Sequence, residues 1–332
     1  MNVRRIVILC LGAAGLLLVV MLAFGVCFEK EIVMNIRVSA IIRIVCWSVA
    51  ALLLISALTF GLAFRGEFVG FGAWFGDYRE VKSATEDVTG VTDIEVDLVS
   101  GDVNIFLSED ETMHYTEYAR RDGEEYRLTV TVNDNTLKIR QPRQRWDFFS
   151  WGSESCRIDV YLPAKQWQLL KVKTTSGDIR VQVEADRVQL SSVSGDVHMT
   201  DGIARDLTVN TTSGDVKVAL ETEADVDSLI LKSVSGDVNF SGKVSGGVRV
   251  NTVSGSMRMN LDACPKTLQA HTTSGDIAVS VPANSEFVAE YNTVSGDFRC
   301  GLSGVTEGKR FTCGDGSGQF DLKTVSGDIR IN

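Results

Sequence analysis

The residues able to do chemistry recur in one short phrase. Ser-Gly-Asp occurs eight times, beginning at Ser100, Ser176, Ser194, Ser213, Ser235, Ser274, Ser295 and Ser326. A degenerate copy, Ser254-Gly255-Ser256, fills the gap between 235 and 274. The aspartates Asp102, Asp178, Asp196, Asp215, Asp237, Asp276, Asp297 and Asp328 would offer oxygen ligands of the kind calcium takes. Carboxylates stacked about 5 Å apart repel by about 1 kcal/mol per pair in water, so something must offset the charge. A divalent cation is one answer. The other is hydrogen bonding from the turn backbone, helped by Arg180, Lys217, Arg299 and Arg330 on the same face. The repeat lacks the Gly-Gly-x-Gly-x-Asp form of calcium-binding solenoids. Hydrogen bonding by the turn backbone is therefore expected, and neither a metal nor a cofactor.

Catalysis finds no footing in the same residues. The serines have no recurring histidine: His114, His198 and His271 sit in unrelated contexts. Nucleophile, base and orienting group do not come together, and zinc-protease, serine-hydrolase and nucleotide-loop motifs are missing. A non-enzymatic protein is expected. A second candidate is the run at 143–151, where Trp146, Phe148, Phe149 and Trp151 follow Arg143 and Arg145. It reads as an anchor for a partner, a glycan or the membrane interface, or as an apolar plug over the end of a stack.

The elements that position these residues follow from spacing. From Ser176 to Ser295 the corners recur at steps of 18, 19, 22, 19, 20 and 21 residues, and a last step of 31 holds an insertion around 301–318. Apolar residues alternate before each corner, as in Leu170 and Val172 or Leu229 and Leu231, and again after it, as in Ile179 and Val181 or Val238 and Phe240. Period 2 on both sides of a glycine means strand, tight turn, strand. Gly177, Gly195, Gly214, Gly236, Gly255, Gly275, Gly296 and Gly327 are the expected turn residues. Two residues before each serine from Ser176 onward, a hydroxyl falls on the inward face: Thr174, Ser192, Thr211, Ser233, Thr252, Thr272, Thr293 or Thr324. Both a β-solenoid and an antiparallel meander satisfy this parity. Like side chains at every corner favour the all-β solenoid of stacked coils, about 4.8 Å apart.

The first 92 residues differ in kind. They carry a net charge of +1, against −11 for the rest. Residues 6–28 and 44–64 are apolar and free of charge, each long enough to cross about 30 Å of hydrocarbon as a helix. Two transmembrane helices are expected at 1–65, with the lipid bilayer as their partner. A Gly/aromatic juxtamembrane tether follows at 66–92, then an irregular β capping region at 93–167 and the repeat solenoid at 168–332. Lys and Arg are nearly balanced across the spans, so orientation does not follow from charge. The acidic β region disfavours nucleic acid. No Cys-x-x-Cys pair occurs, and Cys300 with Cys313 is the one pair that could meet as a disulfide, against unpaired buried thiols.

The Thr-x-Ser-Gly-Asp-Ile/Val phrase, ending in Thr324-Val325-Ser326-Gly327-Asp328-Ile329, resembles the bacterial putative-adhesin family of β-strand-repeat domains. The resemblance covers roughly 90–332. It implies a solenoid-like domain held at the plasma membrane, on its outer side, with no established catalytic residues. Two readings follow. One is a membrane-anchored adhesion or scaffold module of the cell envelope, binding an unidentified protein or glycan. The other is a regulatory or sensory membrane protein of an envelope-stress system, whose solenoid docks a protein partner.

Overall fold

A computed structural model describes residues 78–120, 123, 127–142, 156–202, 204–221 and 224–332. The chain divides into two compact units, Met1–Gly76 and Asp77–Asn332. The expected spans at 6–28 and 44–64, most of the tether and the aromatic run at 143–151 lie outside the described residues. Among the described residues no helix is long and apolar enough to cross a membrane.

The second unit is all β: its described residues form twenty-four strands and no helix. Each coil lays one strand in a first layer, here called sheet B, turns a corner, and lays the next strand in a facing layer, sheet A. Trp167–Lys173 leads over the Ser176 corner into Ile179–Val181, and Ala185–Ser191 over the Ser194 corner into Val197–Gly202. Neighbouring coils pair parallel in both sheets, Leu190 beside Val172 and Val197 beside Ile179. The two inward rows meet as the core: Val188, Leu190, Val197 and Met199 are wholly buried, as are Leu229, Leu231 and Val238. Each such side chain contributes about 1.5–3 kcal/mol by leaving water.

The beginning of the stack is irregular. Asp93–Asp97 and Gly101–Ser108 form a full coil around Ser100, directly beside the Ser176 coil. Its other flank is covered by Thr136–Arg140 and Cys156–Pro163. Antiparallel strands then close that end, with Met113–Ala119 and Arg79–Glu86 in sheet A and Thr129–Asn133 in sheet B. Segment 93–167 thus supplies coils to the stack as well as its covering strands.

The finish departs from sequence order. Simple stacking expects Ser274, Ser295, Ser326, but the corners pair Ser274 with Ser326 and Ser326 with Ser295. Gly318–Lys323 lies between Thr267–His271 and Phe287–Asn292, parallel to both. The 301–318 insertion is the cause. Its strands Val305–Glu307 and Arg310–Cys313 form a hairpin along the outer edge of Phe287–Asn292. Residues 314–317 then cross the start of that strand and drop the chain on its other side. Gly316 adopts φ 77°, and a Cβ there would sit 2.7 Å from Val288, so only glycine passes so close.

The corner column as candidate functional site

The nine corners lie in one row, and each of the eight junctions between them carries the same six hydrogen bonds. The Ser194–Ser213 junction shows the set. The N–H groups of Ser192, Gly195 and Val197 donate to carbonyls of Asn210, Ser213 and Asp215, and Ser213 N–H donates back to Val193. The Thr211 hydroxyl donates to Gly195 O at 3.4 Å, and Asp215 N–H donates to Asp196 Oδ1 at 2.8 Å. The inward hydroxyls therefore bind turn backbone, from Thr174 on Gly101 O at 3.2 Å to Thr293 on Gly327 O at 3.0 Å.

Glycine is dictated by contact. A Cβ on Gly214 would stand 2.2 Å from Gly195 O, and on Gly236 2.1 Å from Gly214 O. Both residues also adopt the positive φ that L side chains avoid, 155° and 153°.

The aspartates form a ladder in which each Oδ1 before that of Asp297 takes the next coil's backbone N–H. Asp178, Asp196, Asp215 and Asp237 accept at 2.8–3.0 Å, Asp276 accepts from Asp328 N–H, and Asp328 from Asp297 N–H. Ser256 keeps the ladder continuous by accepting Asp276 N–H on its hydroxyl at 3.3 Å. Arg180, Arg299 and Arg330 pair with Asp178, Asp297 and Asp328 at 3.0, 3.2 and 2.7 Å. The Asp297 N–H, with Arg330 and Arg299, holds the Asp328 carboxyl below the usual carboxylate range. Among the described residues no three His, Cys, Asp or Glu side chains are grouped to hold a metal ion.

Of the other candidates, Cys156 touches the first corner, its Sγ donating to Ser100 O at 3.5 Å. Cys300 belongs to sheet A and Cys313 to the sheet B hairpin, and all four described cysteines are free. Burial, then Glu117 and Asp102, pushes the Cys156 thiol up to about 12, so it stays protonated and inert. His271 and His114 pair with Asp321 and Asp110 at 2.9 and 3.2 Å, far apart in the fold and without a serine between them.

Two features were not singled out in the sequence. The x of Thr-x-Ser-Gly-Asp points outward at every corner, giving in spatial order Val99, Thr175, Val193, Thr212, Val234, Val253, Thr273, Val325 and Val294. The interior valines are about half exposed, from 48% to 51%. With the corner serines beside them they make an uncharged double column, and their signal was the plain restriction of x to Val or Thr. The second feature is a groove of about 510 Å³ where the 262–266 and 282–286 turns meet the 314–317 crossing. It holds Cys264, and Asp315 beside Glu286 raises the Glu286 carboxyl. Only the reordered finish brings these residues together.

Residues 91–332 match the family model described as Toastrack DUF4097. The chain belongs to the Toastrack DUF4097 family. Its Toastrack domain is similar to several solved structures. One is a "putative adhesin" from Bacteroides fragilis, 15% identical, covering 76% of this chain and 96% of that one at a TM-score of 0.46. Another is a "putative cell adhesion protein" from Clostridium sporogenes, 14% identical, covering 77% and 99% at 0.27. A "putative lipid binding protein" from Parabacteroides distasonis is 14% identical, covering 76% and 96% at 0.36. No curated protein matches the chain.

Proposed function

We propose that this Toastrack protein is a membrane-anchored, non-enzymatic adhesion or scaffold module of the bacterial cell envelope. Residues 6–28 and 44–64 hold it in the plasma membrane, and the β domain binds a protein or glycan on the outer side along its corner. The observation that carries this reading is the uncharged Val/Thr and Ser double column. It runs the length of the stack and gives a regular face of methyls and hydroxyls, while the neighbouring Asp ladder is occupied by internal hydrogen bonds.

The test uses intact cells. Protease added outside should cleave the β domain, and replacing Val193, Val234 and Val253 together with Asp should cut cell attachment to isolated cell-wall polysaccharide or to partner cells. A loss of about tenfold is expected for removal of a central contact row, with circular dichroism unchanged. Protection from protease in intact cells, with cleavage only after lysis, would overturn the outer placement. It would favour the regulatory protein that docks a partner of an envelope-stress system.

A further inference from the structure

Among the described residues the stack ends at the Ser295 corner, whose outward edge repeats the groups of every inner junction. At each of the eight junctions one coil presents three N–H donors, two carbonyls and one side-chain acceptor, and the next coil takes all six. The Ser295 coil receives its own six from the Ser326 coil: Gly327, Ile329 and Thr324 donate to Ser295, Asp297 and Asn292, and Ser295 donates to Val325. Thr293 Oγ1 and Asp297 N–H complete the set on Gly327 O and Asp328 Oδ1.

The outward half of the same coil has nothing against it among the described residues. Thr293 N–H, Gly296 N–H and Phe298 N–H are unpaired donors, and Val294 O, Gly296 O and Asp297 Oδ1 are unpaired acceptors. The covering hairpin leaves these backbone groups clear: its backbone pairing ends where Lys309 O accepts Tyr291 N–H, the Lys309 ammonium reaches Asn292 Oδ1, and Phe311 meets Phe298 through the rings, 6.0 Å apart. Val294 is accordingly 77% exposed, where its counterparts are about half exposed. Open edges are ordinarily blunted by proline, a bulge or a covering loop, and this one has none from 293 to 300.

We propose that this edge is a docking seat for one extended segment of a partner protein carrying the same corner sequence, Thr/Ser-x-Ser-Gly-Asp/Ser followed by a β-branched residue. The seat continues the junction already repeated eight times, so its chemistry defines its occupant. The partner's hydroxyl must reach Gly296 O, its Ser N–H must reach Val294 O, and its Asp or Ser N–H must reach Asp297 Oδ1. Its glycine is obligatory, because at the existing junctions a Cβ would stand 2.0–2.2 Å from the preceding glycine's carbonyl oxygen. This is strand addition in which main-chain bonds give affinity and the glycine gives specificity. Among the described residues growth has one direction, since the opposite end is closed by antiparallel strands.

The probe is a labelled peptide of residues 318–332, which carries Thr-Val-Ser-Gly-Asp-Ile, added to the detergent-solubilised full chain. Saturable binding is expected, weakened at least tenfold when the peptide's glycine is replaced by alanine. Asp297→Ala in the chain removes one acceptor from an exposed side chain and should weaken binding about fivefold, the worth of one hydrogen bond. Asp276→Ala is the control, because Asp276 serves the inner slot already filled by the chain's own Ser326 coil. Absence of binding overturns the proposal. Binding lost in Asp276→Ala but kept in Asp297→Ala overturns it too, by showing entry through displacement of the chain's own coil.

Discussion

At the scale of single residues, the corner glycines and two carboxylates give the sharpest tests. Gly214→Ala puts a methyl 2.2 Å from Gly195 O in a backbone of φ 155°. Nothing there can give except the ladder itself, so a loss of at least about 3 kcal/mol is expected in denaturant unfolding. Gly308 is the contrast: its φ is 61° but no atom lies within 4 Å of a new Cβ. Gly308→Ala should cost only about 1 kcal/mol, the ordinary price of a left-handed conformation.

The pH response has two signs. Glu117 occupies an inward position among Met113, Tyr115 and Ala119, with both carboxylate oxygens accepting Leu128 N–H at 3.0 and 3.1 Å. Burial pushes its carboxyl above the ordinary 4.5 despite that bond and the charges of Lys82 and Arg127. The folded chain therefore takes up this proton first, and Glu117 adds stability as pH falls towards 4.5. Asp328 is held below 3.8, so its contribution is present above 3.8 and lost as pH falls through its lower folded value. Stability curves against pH should show Glu117→Gln removing an acid-side gain and raising stability at neutral pH. Asp328→Asn should flatten the loss below pH 4. The Asp ladder and the inward hydroxyls were legible because their parity recurs eight times. Glu117 was not, since one glutamate in an alternating strand looks like any solvent-facing residue until burial is known.

At the scale of elements, the reordered finish sets the prediction. The Ser295 coil and its hairpin reach the rest of the stack through Gly318–Lys323 and Ile329–Ile331. Deleting residues 318–332 should therefore abolish hydrogen-exchange protection across 287–313, while the strands from Trp167 to Leu261 keep theirs. Retained protection at 287–313 would mean that the Ser295 coil settles directly on the Ser274 coil. The coil itself was legible from period-2 alternation on either side of a glycine. The order of the last two coils was not, because Thr272, Thr293 and Thr324 lead three corners of equal fit. Only the hairpin geometry separates the alternatives, and that depends on Phe287 stacking on Phe320 at 4.5 Å and tilting against Phe311 at 6.1 Å.

At the scale of the whole molecule, the β domain is one long interior held by repetition rather than by any single cluster. The buried row runs without a break from Val88 to Ile331. Divalent cations should matter little to it, since seven of the eight corner carboxylates already accept backbone N–H groups and Asp297 pairs with Arg299. A thermal scan with millimolar calcium and one with chelator should agree within about 1 °C. A clear rise with calcium would return the Asp column to metal binding. The alternation that makes the interior was legible from hydropathy, whereas the outward valines gained meaning only when stacking placed them over one another.

The inner berth of the Ser326 coil bears on how such a chain is made. Synthesis reaches Phe287, Phe298 and the hairpin before it reaches the strands that must lie beneath them. A chain halted near residue 313 has built its roof and lacks the course of bricks that carries it, leaving aromatic surface open to chaperones and proteases. The Ser326 coil is thus a keystone, and a chain lacking it has no near-native shape in which to pass unnoticed.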